Sequence, residues 1–124
     1  MKITLNNKSY SLKFGLGFFR ELGRIYNDDT IQQTLARIVV FDDAKTVSEL
    51  PYSLLDLLEN IVKAAALNDK SNVFDENDFE DVLDVVMSYP NFIVEFKTSI
   101  LESMPKQTAN QGKPKAPKKP SAKN

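Results

Sequence analysis

The first fourteen residues alternate between apolar and polar side chains in two short runs. The apolar residues at the alternate positions are Ile3, Leu5, Tyr10, Leu12 and Phe14. Residues at alternate positions lie on one face of a strand. Asn6 and Asn7 separate the two runs, and asparagine tolerates the positive φ that tight hairpin turns require. The pattern predicts a β-hairpin over residues 2–14. Because an isolated hairpin is marginally stable in water, its apolar face is expected to pack against helices.

After Gly15 the apolar residues recur every three or four positions, which is typical of amphipathic helices. Helices are predicted at about residues 17–26, 30–41, 50–67, 76–88 and 91–103. Thr30 and Gln33 have the spacing of a capping box at the start of the second helix. The apolar stripe predicted for that helix is Ile31, Leu35, Ile38 and Val39.

The helix at 50–67 has the clearest apolar face and is predicted to form the centre of the core. Its apolar residues are Leu54, Leu55, Leu58, Ile61, Val62 and Ala65. Ser48 is the predicted N-cap of this helix, with Pro51 tolerated in the first turn. Glu59 and Lys63 lie four residues apart on the opposite face and form a favourable pair.

The last predicted helix carries apolar residues on more than one face. Ile93, Phe96 and Ile100 fit one face, but Phe92, Val94 and Leu101 cannot all point into the same core. Either the helix is buried on most sides, or it presents apolar surface to a partner. Under the second alternative, the partner-binding residues are Phe92, Val94 and Leu101.

These elements predict an α+β fold that is mainly helical, with one globular domain over residues 1–104. Residues 105–124 contain lysine, proline and small polar residues, and they lack aromatic and β-branched aliphatic residues. A segment of this composition buries too little apolar surface to offset its ordering entropy. We therefore predict a disordered tail over residues 105–124.

The composition argues against catalysis. The 124 residues include no histidine and no cysteine. Their absence removes the commonest general base, the commonest metal ligand and any thiol nucleophile. With only four glycines, a glycine-rich phosphate loop is not expected either. We expect no enzymatic activity, no metal and no cofactor.

The net charge of −1 conceals an asymmetry between the predicted domain and the tail. All six lysines after residue 105 lie in the tail, and the rest of the chain carries ten bases and seventeen acids, a net charge of −7. An acidic domain is a poor match for nucleic-acid phosphates. The basic tail could contact nucleic acid or anionic lipid, or it could serve as a solubilising tail or linker.

Neither a signal peptide nor a membrane-spanning segment is expected. The first residues lack a long apolar core, and the sequence contains no apolar run near the ~20 residues that a membrane-spanning helix needs. We expect a cytosolic protein.

A cluster of acidic residues precedes and enters the fourth predicted helix. It consists of Asp75, Glu76, Asp78, Glu80, Asp81 and Asp84. Carboxylates stabilise the positive end of a helix dipole, and they could also form a docking face for a basic partner. A calcium loop starting at Asp69 fails at its fifth and sixth positions, which are Val73 and Phe74, because the loop needs an oxygen ligand and then a glycine there.

The order of these elements resembles a known family. The strand Tyr10–Phe14 leads directly into Gly15-Leu16-Gly17-Phe18-Phe19-Arg20-Glu21-Leu22, and an acidic helical domain and a Lys/Pro-rich segment follow. This arrangement is similar to the tail assembly chaperones of long-tailed bacteriophages that infect Gram-positive bacteria. The resemblance implies a protein that binds the tape measure protein, helps recruit tail tube protein and is absent from the mature virion. It also implies the host cytoplasm as location, and it supplies no catalytic residues.

The resemblance also implies that a second, longer product is made from the same gene. The family is often made in two lengths, the longer by ribosomal frameshift, and Pro117-Lys118-Lys119 is compatible with codons that contain a slippery run. Two other functions are alternatives to the chaperone: a small protein-interaction adaptor of the same fold class, or a nucleic-acid-associated protein that acts through its basic tail.

Overall fold

The computed structural model describes residues 1–103, so the predicted disordered tail at 105–124 lies outside the described residues. Two strands come first and five α-helices follow within this range. The elements are β1 (Lys2–Leu5), β2 (Lys8–Ser11), α1 (Leu16–Tyr26), α2 (Ile31–Ile38), α3 (Leu55–Asn68), α4 (Val82–Met87) and α5 (Phe92–Ser103). This order confirms the predicted fold class, α+β and mainly helical with an N-terminal hairpin.

The hairpin forms as predicted, except that its second strand ends at Ser11 rather than at residue 14. Asn6 and Asn7 have φ values of 53° and 62°, which is the pair of positive φ angles that a type I′ turn requires. β1 and β2 pair antiparallel, with Leu5 opposite Lys8 and Ile3 opposite Tyr10. All five apolar residues of the predicted face are buried. Their face packs on α3 and α4, as expected for a hairpin that is not stable alone.

α3 lies at the centre of the core. Leu58, Ile61 and Val62 have no exposed surface, and α1 packs along this helix. The predicted start of the helix is wrong, because α3 begins at Leu55 after a 3-10 turn at Tyr52–Leu54. Ser48 does not cap it, since the capping box in this region joins Thr46 and Glu49 around a separate 3-10 turn.

α2 begins as predicted but presents a different face to the core. Both hydrogen bonds of the capping box between Thr30 and Gln33 are present. The inward residues are Thr34, Ile38 and Phe41, the last in a 3-10 turn that continues the helix, whereas Ile31 and Val39 are about half exposed. The predicted stripe is therefore correct for Ile38, and for Leu35, which packs against the core, but wrong for the other two. Thr34 can be buried on the inward face because its hydroxyl donates a hydrogen bond to Asp28.

The same contact explains a glycine inside α1. A Cβ atom built on Gly23 would lie 3.1 Å from the Thr34 hydroxyl oxygen. The absence of a side chain at Gly23 therefore lets the Thr34 side chain of α2 lie close to α1.

The predicted helix at 76–88 is divided into two pieces. A 3-10 turn at Glu76–Phe79 comes first, and α4 covers only Val82–Met87. Phe79, Val82 and Val86 are buried as predicted. No helix within residues 1–103 has the length and apolar character needed to cross a bilayer.

Candidate partner-binding surfaces

The three predicted partner-binding residues of α5 lie on two different faces of the helix. Phe92 has no exposed surface, and its ring packs against those of Tyr89 and Phe96 at centroid distances of 5.7 and 5.8 Å. The prediction that Phe92 belongs to a partner-binding surface is wrong. It lies on the same face of α5 as Phe96, four residues later, and that face closes the core against Phe41.

Val94 and Leu101 lie on the opposite face of α5 and are exposed. Their exposed fractions are 43% and 74%, and their separation of seven residues places them one above the other on the helix. Thr98 lies between them and is also exposed. We call these three residues the α5 outer face. Glu95 and Glu102, both exposed, border it on one side, so the face is a short apolar strip beside two carboxylates.

Lys97 fixes the position of α5 relative to the segment after α2. Its ammonium group donates hydrogen bonds to the carbonyl oxygens of Phe41, Asp42 and Ala44, at 3.1, 3.1 and 2.9 Å. These are carbonyls at and just beyond the end of a 3-10 turn, where a cation is favourable. Because three carbonyl groups hold the Lys97 ammonium group, the free charges beside the α5 outer face are, within residues 1–103, the carboxylates of Glu95 and Glu102.

A second candidate surface is a groove between α1 and the start of α2. It encloses about 790 Å³. The residues that line this α1–α2 groove are Leu16, Phe19, Arg20, Gly23, Arg24, Asn27, Asp28, Asp29, Thr30, Ile31 and Thr34. Leu16 and Ile31 are about half exposed, so the groove offers two apolar side chains to a partner.

The charges at the groove differ in how far they are neutralised. The Asp28 carboxylate receives hydrogen bonds from Arg37, which also forms an ion pair at 2.7 Å, and from Thr34. The Arg37 guanidinium group lowers the pKa of Asp28, and Thr34 adds to the effect. Arg24 pairs with Glu21 at 3.1 Å, whereas Arg20 makes no ion pair or side-chain hydrogen bond within residues 1–103. Arg20 therefore supplies the unneutralised positive charge on the α1 wall of the groove, and Asp29 is an acid that also lines it.

The acidic cluster at 75–84 also divides into two parts. Asp75, Glu76, Glu80, Asp81 and Asp84 are exposed, whereas Asp78 is buried. Within residues 1–103, no group of three or more possible ligands is placed to hold a metal ion. The exposed carboxylates form an acidic surface, and Asp75 caps the 3-10 turn by accepting a hydrogen bond from the amide of Asn77 at 3.0 Å.

Asp78 joins the hairpin to the helices. Its carboxylate receives hydrogen bonds from the Lys8 ammonium group, the Tyr10 hydroxyl and the Asn6 side-chain amide, at 2.7, 2.6 and 2.9 Å. These three donors, Lys8 foremost, lower the pKa of Asp78 to about 2. These three donors belong to the hairpin, and their hydrogen bonds are sufficient to explain why this carboxylate is buried.

The sequence analysis did not identify the α1–α2 groove. The predicted first helix begins at about residue 17, after Leu16, and the predicted stripe of the second helix includes Ile31. One signal was present in the sequence: Thr34, Ile38 and Phe41 also have helical spacing, and choosing that face of α2 turns Ile31 outward.

Comparisons with protein-family models, with curated proteins and with solved structures find no match to this chain.

Proposed function

We propose that this protein is a bacteriophage tail assembly chaperone that binds the tape measure protein before and during tail assembly. The observation that carries the proposal is the α5 outer face, where Val94 and Leu101 are exposed on a helix whose other face closes the core. These two apolar side chains add little to the core, so their exposure on one face supports a contact with a partner. The proposal assigns the protein no catalytic role.

The proposed client suits the physical character of this surface. An apolar strip on a helix binds the apolar face of another helix, which is the kind of surface that a long helical protein exposes before it assembles. Full burial of each side chain contributes about 1.5–3 kcal/mol, so two of them give a contact that is easily reversed. Reversible binding is required of a chaperone that leaves before the particle is complete.

The charge of the protein supports the same role. Residues 1–103 carry a net charge of −7, and net charge keeps a protein with exposed apolar surface from aggregating. The same charge disfavours nucleic acid as the partner of these residues. Recruitment of tail tube protein, action in the host cytoplasm and absence from the mature virion belong to the proposal as well.

The gene neighbourhood gives the first test. A very long reading frame rich in coiled-coil pattern, lying just downstream, is expected, because it would encode the tape measure protein. The codons for Pro117, Lys118 and Lys119 are expected to contain a slippery run followed by an overlapping frame. Without the long frame the proposed client does not exist, and without the slippery run the two-product expectation is wrong.

Co-expression gives the second test. The tape measure protein encoded beside this gene is expressed alone and with this chain, and its soluble fraction is measured. We expect the chain to raise that fraction and the double variant Val94→Ser/Leu101→Ser to lose most of the effect. Val73→Ser is the matched control, since Val73 is 80% exposed but lies in the loop before the Glu76–Phe79 turn.

Two results would contradict the proposal. One is a soluble fraction of the tape measure protein that does not depend on this chain. The other is equal loss of the effect in the α5 double variant and in Val73→Ser, which would show that the α5 outer face has no special part in binding.

A further inference from the structure

We propose that the α5 outer face of one copy binds the α1–α2 groove of a second copy, so that the chains associate head to tail. Both halves of this contact belong to the same sequence, and the second copy occupies the α5 outer face until the client displaces it. This pairing assigns an occupant to a groove for which the proposed function has no use.

The shapes of the two surfaces are complementary. The α5 outer face is a convex strip in which Val94 and Leu101 are about 10 Å apart along the helix, at a rise of 1.5 Å per residue. The groove follows α1 from Leu16 to Asn27, a length of about 16 Å by the same rise. Both apolar side chains of α5 can therefore enter the groove, where Leu16 and Ile31 are exposed.

The charges beside the two apolar surfaces are also complementary. Glu95 and Glu102 border the α5 outer face on one side, and Arg20 and Arg24 lie along the α1 wall of the groove. Lys97 adds no cation to the contact, because three backbone carbonyls hold its ammonium group. Arg24 is already paired with Glu21, and Asp28 with Arg37, and Asp29 also lines the groove. Docking α5 with its acidic side toward α1 therefore brings the two carboxylates to the one guanidinium group of the groove that is unpaired within residues 1–103, that of Arg20, whereas two α5 faces would bring carboxylates together.

The contact must form between different molecules. Phe92 and Phe96 hold the inner face of α5 in the core, so the outer face points away from its own protein and cannot reach the groove of the same chain. Because the two contacting surfaces differ, the association is heterologous. Such contacts produce either a closed ring or an open chain of subunits.

Mixing two complementary variants of the full chain tests this geometry. The first, Val94→Ser/Leu101→Ser, loses the α5 outer face but keeps the groove. The second, Leu16→Ser/Ile31→Ser, loses the groove but keeps the α5 outer face. All four side chains are substantially exposed, and circular dichroism checks that both variants fold.

Sedimentation velocity measures the association. We expect wild-type protein to increase in mass with concentration and each variant alone to remain monomeric. An equimolar mixture of the two variants should form a dimer and nothing larger, because it contains one intact face and one intact groove per pair. Val73→Ser should associate like wild type.

Charge reversal tests the predicted pairing of acid and base. Arg20→Glu and Glu102→Arg are each expected to weaken self-association by about tenfold or more, since each places like charges together. Their mixture should recover affinity, because the α5 face of each variant then meets a groove of opposite charge in the other variant.

Several outcomes overturn the inference. Wild-type protein that stays monomeric at all concentrations leaves both surfaces to other partners. Loss of association in the α5 variant but not in the groove variant indicates a symmetric α5–α5 contact. A mixture of the two apolar variants that remains monomeric shows that the face and the groove do not meet.

Discussion

Asp78 is the residue on which the attachment of the hairpin depends most directly. Its carboxylate collects three hydrogen bonds from the hairpin residues Asn6, Lys8 and Tyr10, while its own backbone belongs to the turn before α4. The hairpin is only two short strands and depends on outside contacts for stability. A single buried charge thus connects the first and the last thirds of the described chain.

Replacing Asp78 with Asn is expected to lower the melting temperature at neutral pH, because the amide keeps the shape but loses the charge that Lys8 pairs with. The pKa of Asp78 is lowered from 3.8 to about 2 in the folded protein. A lowered pKa contributes stability above the unfolded value and loses it as the pH falls through the folded value. The melting-temperature difference between wild type and variant should therefore be constant above about pH 5 and shrink between about pH 4 and 2.

The quantity to measure is the difference in melting temperature between wild type and Asp78→Asn. Asp69 also has a pKa lowered to about 2, chiefly by a hydrogen bond from Ser71, so acid will destabilise both proteins over the same range. Asp43→Asn, at an exposed position, is the control and should leave the melting temperature unchanged. A difference between wild type and Asp78→Asn that persists undiminished at pH 2 would contradict the assignment.

The two faces of α5 have different roles. Its inner face, with Phe92, Ile93 and Phe96, completes the core, and its outer face is free for a partner. Lys97 lies between these faces and holds the helix to the carbonyl groups after α2. The orientation of the outer face is therefore determined by packing and by this cap together.

Replacing Lys97 with Met is expected to reduce the free energy of unfolding by about 1–2 kcal/mol, because hydrogen bonds from a charged donor are lost while part of the freed backbone can bind water. Urea denaturation measures the change. Lys45→Met removes an exposed lysine of the same region and should have almost no effect. Equal stability of the two variants would show that the three carbonyl contacts contribute little.

Core and outer-face substitutions should separate folding from binding. Leu58→Ala removes a fully buried side chain of α3 and should cost about 2–5 kcal/mol of unfolding free energy. Leu101→Ser should cost less than about 1 kcal/mol, mostly in helix propensity, while it weakens binding to a partner. Both values come from denaturation at low protein concentration. A loss for Leu101→Ser as large as that for Leu58→Ala would place Leu101 in the core.

At the scale of the whole molecule, residues from the hairpin to α5 contribute to one cluster of buried side chains. α3 connects its parts, because α1, α4 and β2 all contact this helix. The candidate surfaces lie outside this core, on α5 and between α1 and α2. Substitutions there can change binding without unfolding the protein.

Truncating the chain after residue 104 should leave the melting temperature nearly unchanged. The removed sequence supplies no aromatic or large aliphatic side chain, so it has little to add to a hydrophobic core. Differential scanning calorimetry of the full and truncated chains measures the effect. A fall of many degrees would show that this segment packs on the residues before it.

Local sequence patterns were sufficient for several elements of this protein. The two asparagines adopt positive φ in the hairpin turn, Thr30 and Gln33 form the capping box, and α3 buries the residues at the centre of its predicted apolar face. Each of these features depends on residues that are neighbours in the sequence. Their backbone geometry and hydrogen bonds are therefore determined by the residues in question, with little contribution from the rest of the fold.

Only the tertiary structure decided which faces of α2 and α5 are inside. Thr34 is buried because Asp28 accepts its hydrogen bond, and Phe92 is buried because Tyr89 and Phe96 pack around it. Helical spacing allows more than one face to be apolar, and the choice between them depends on what packs against the helix. That is why Val94 and Leu101 remained on the candidate surface and Phe92 did not.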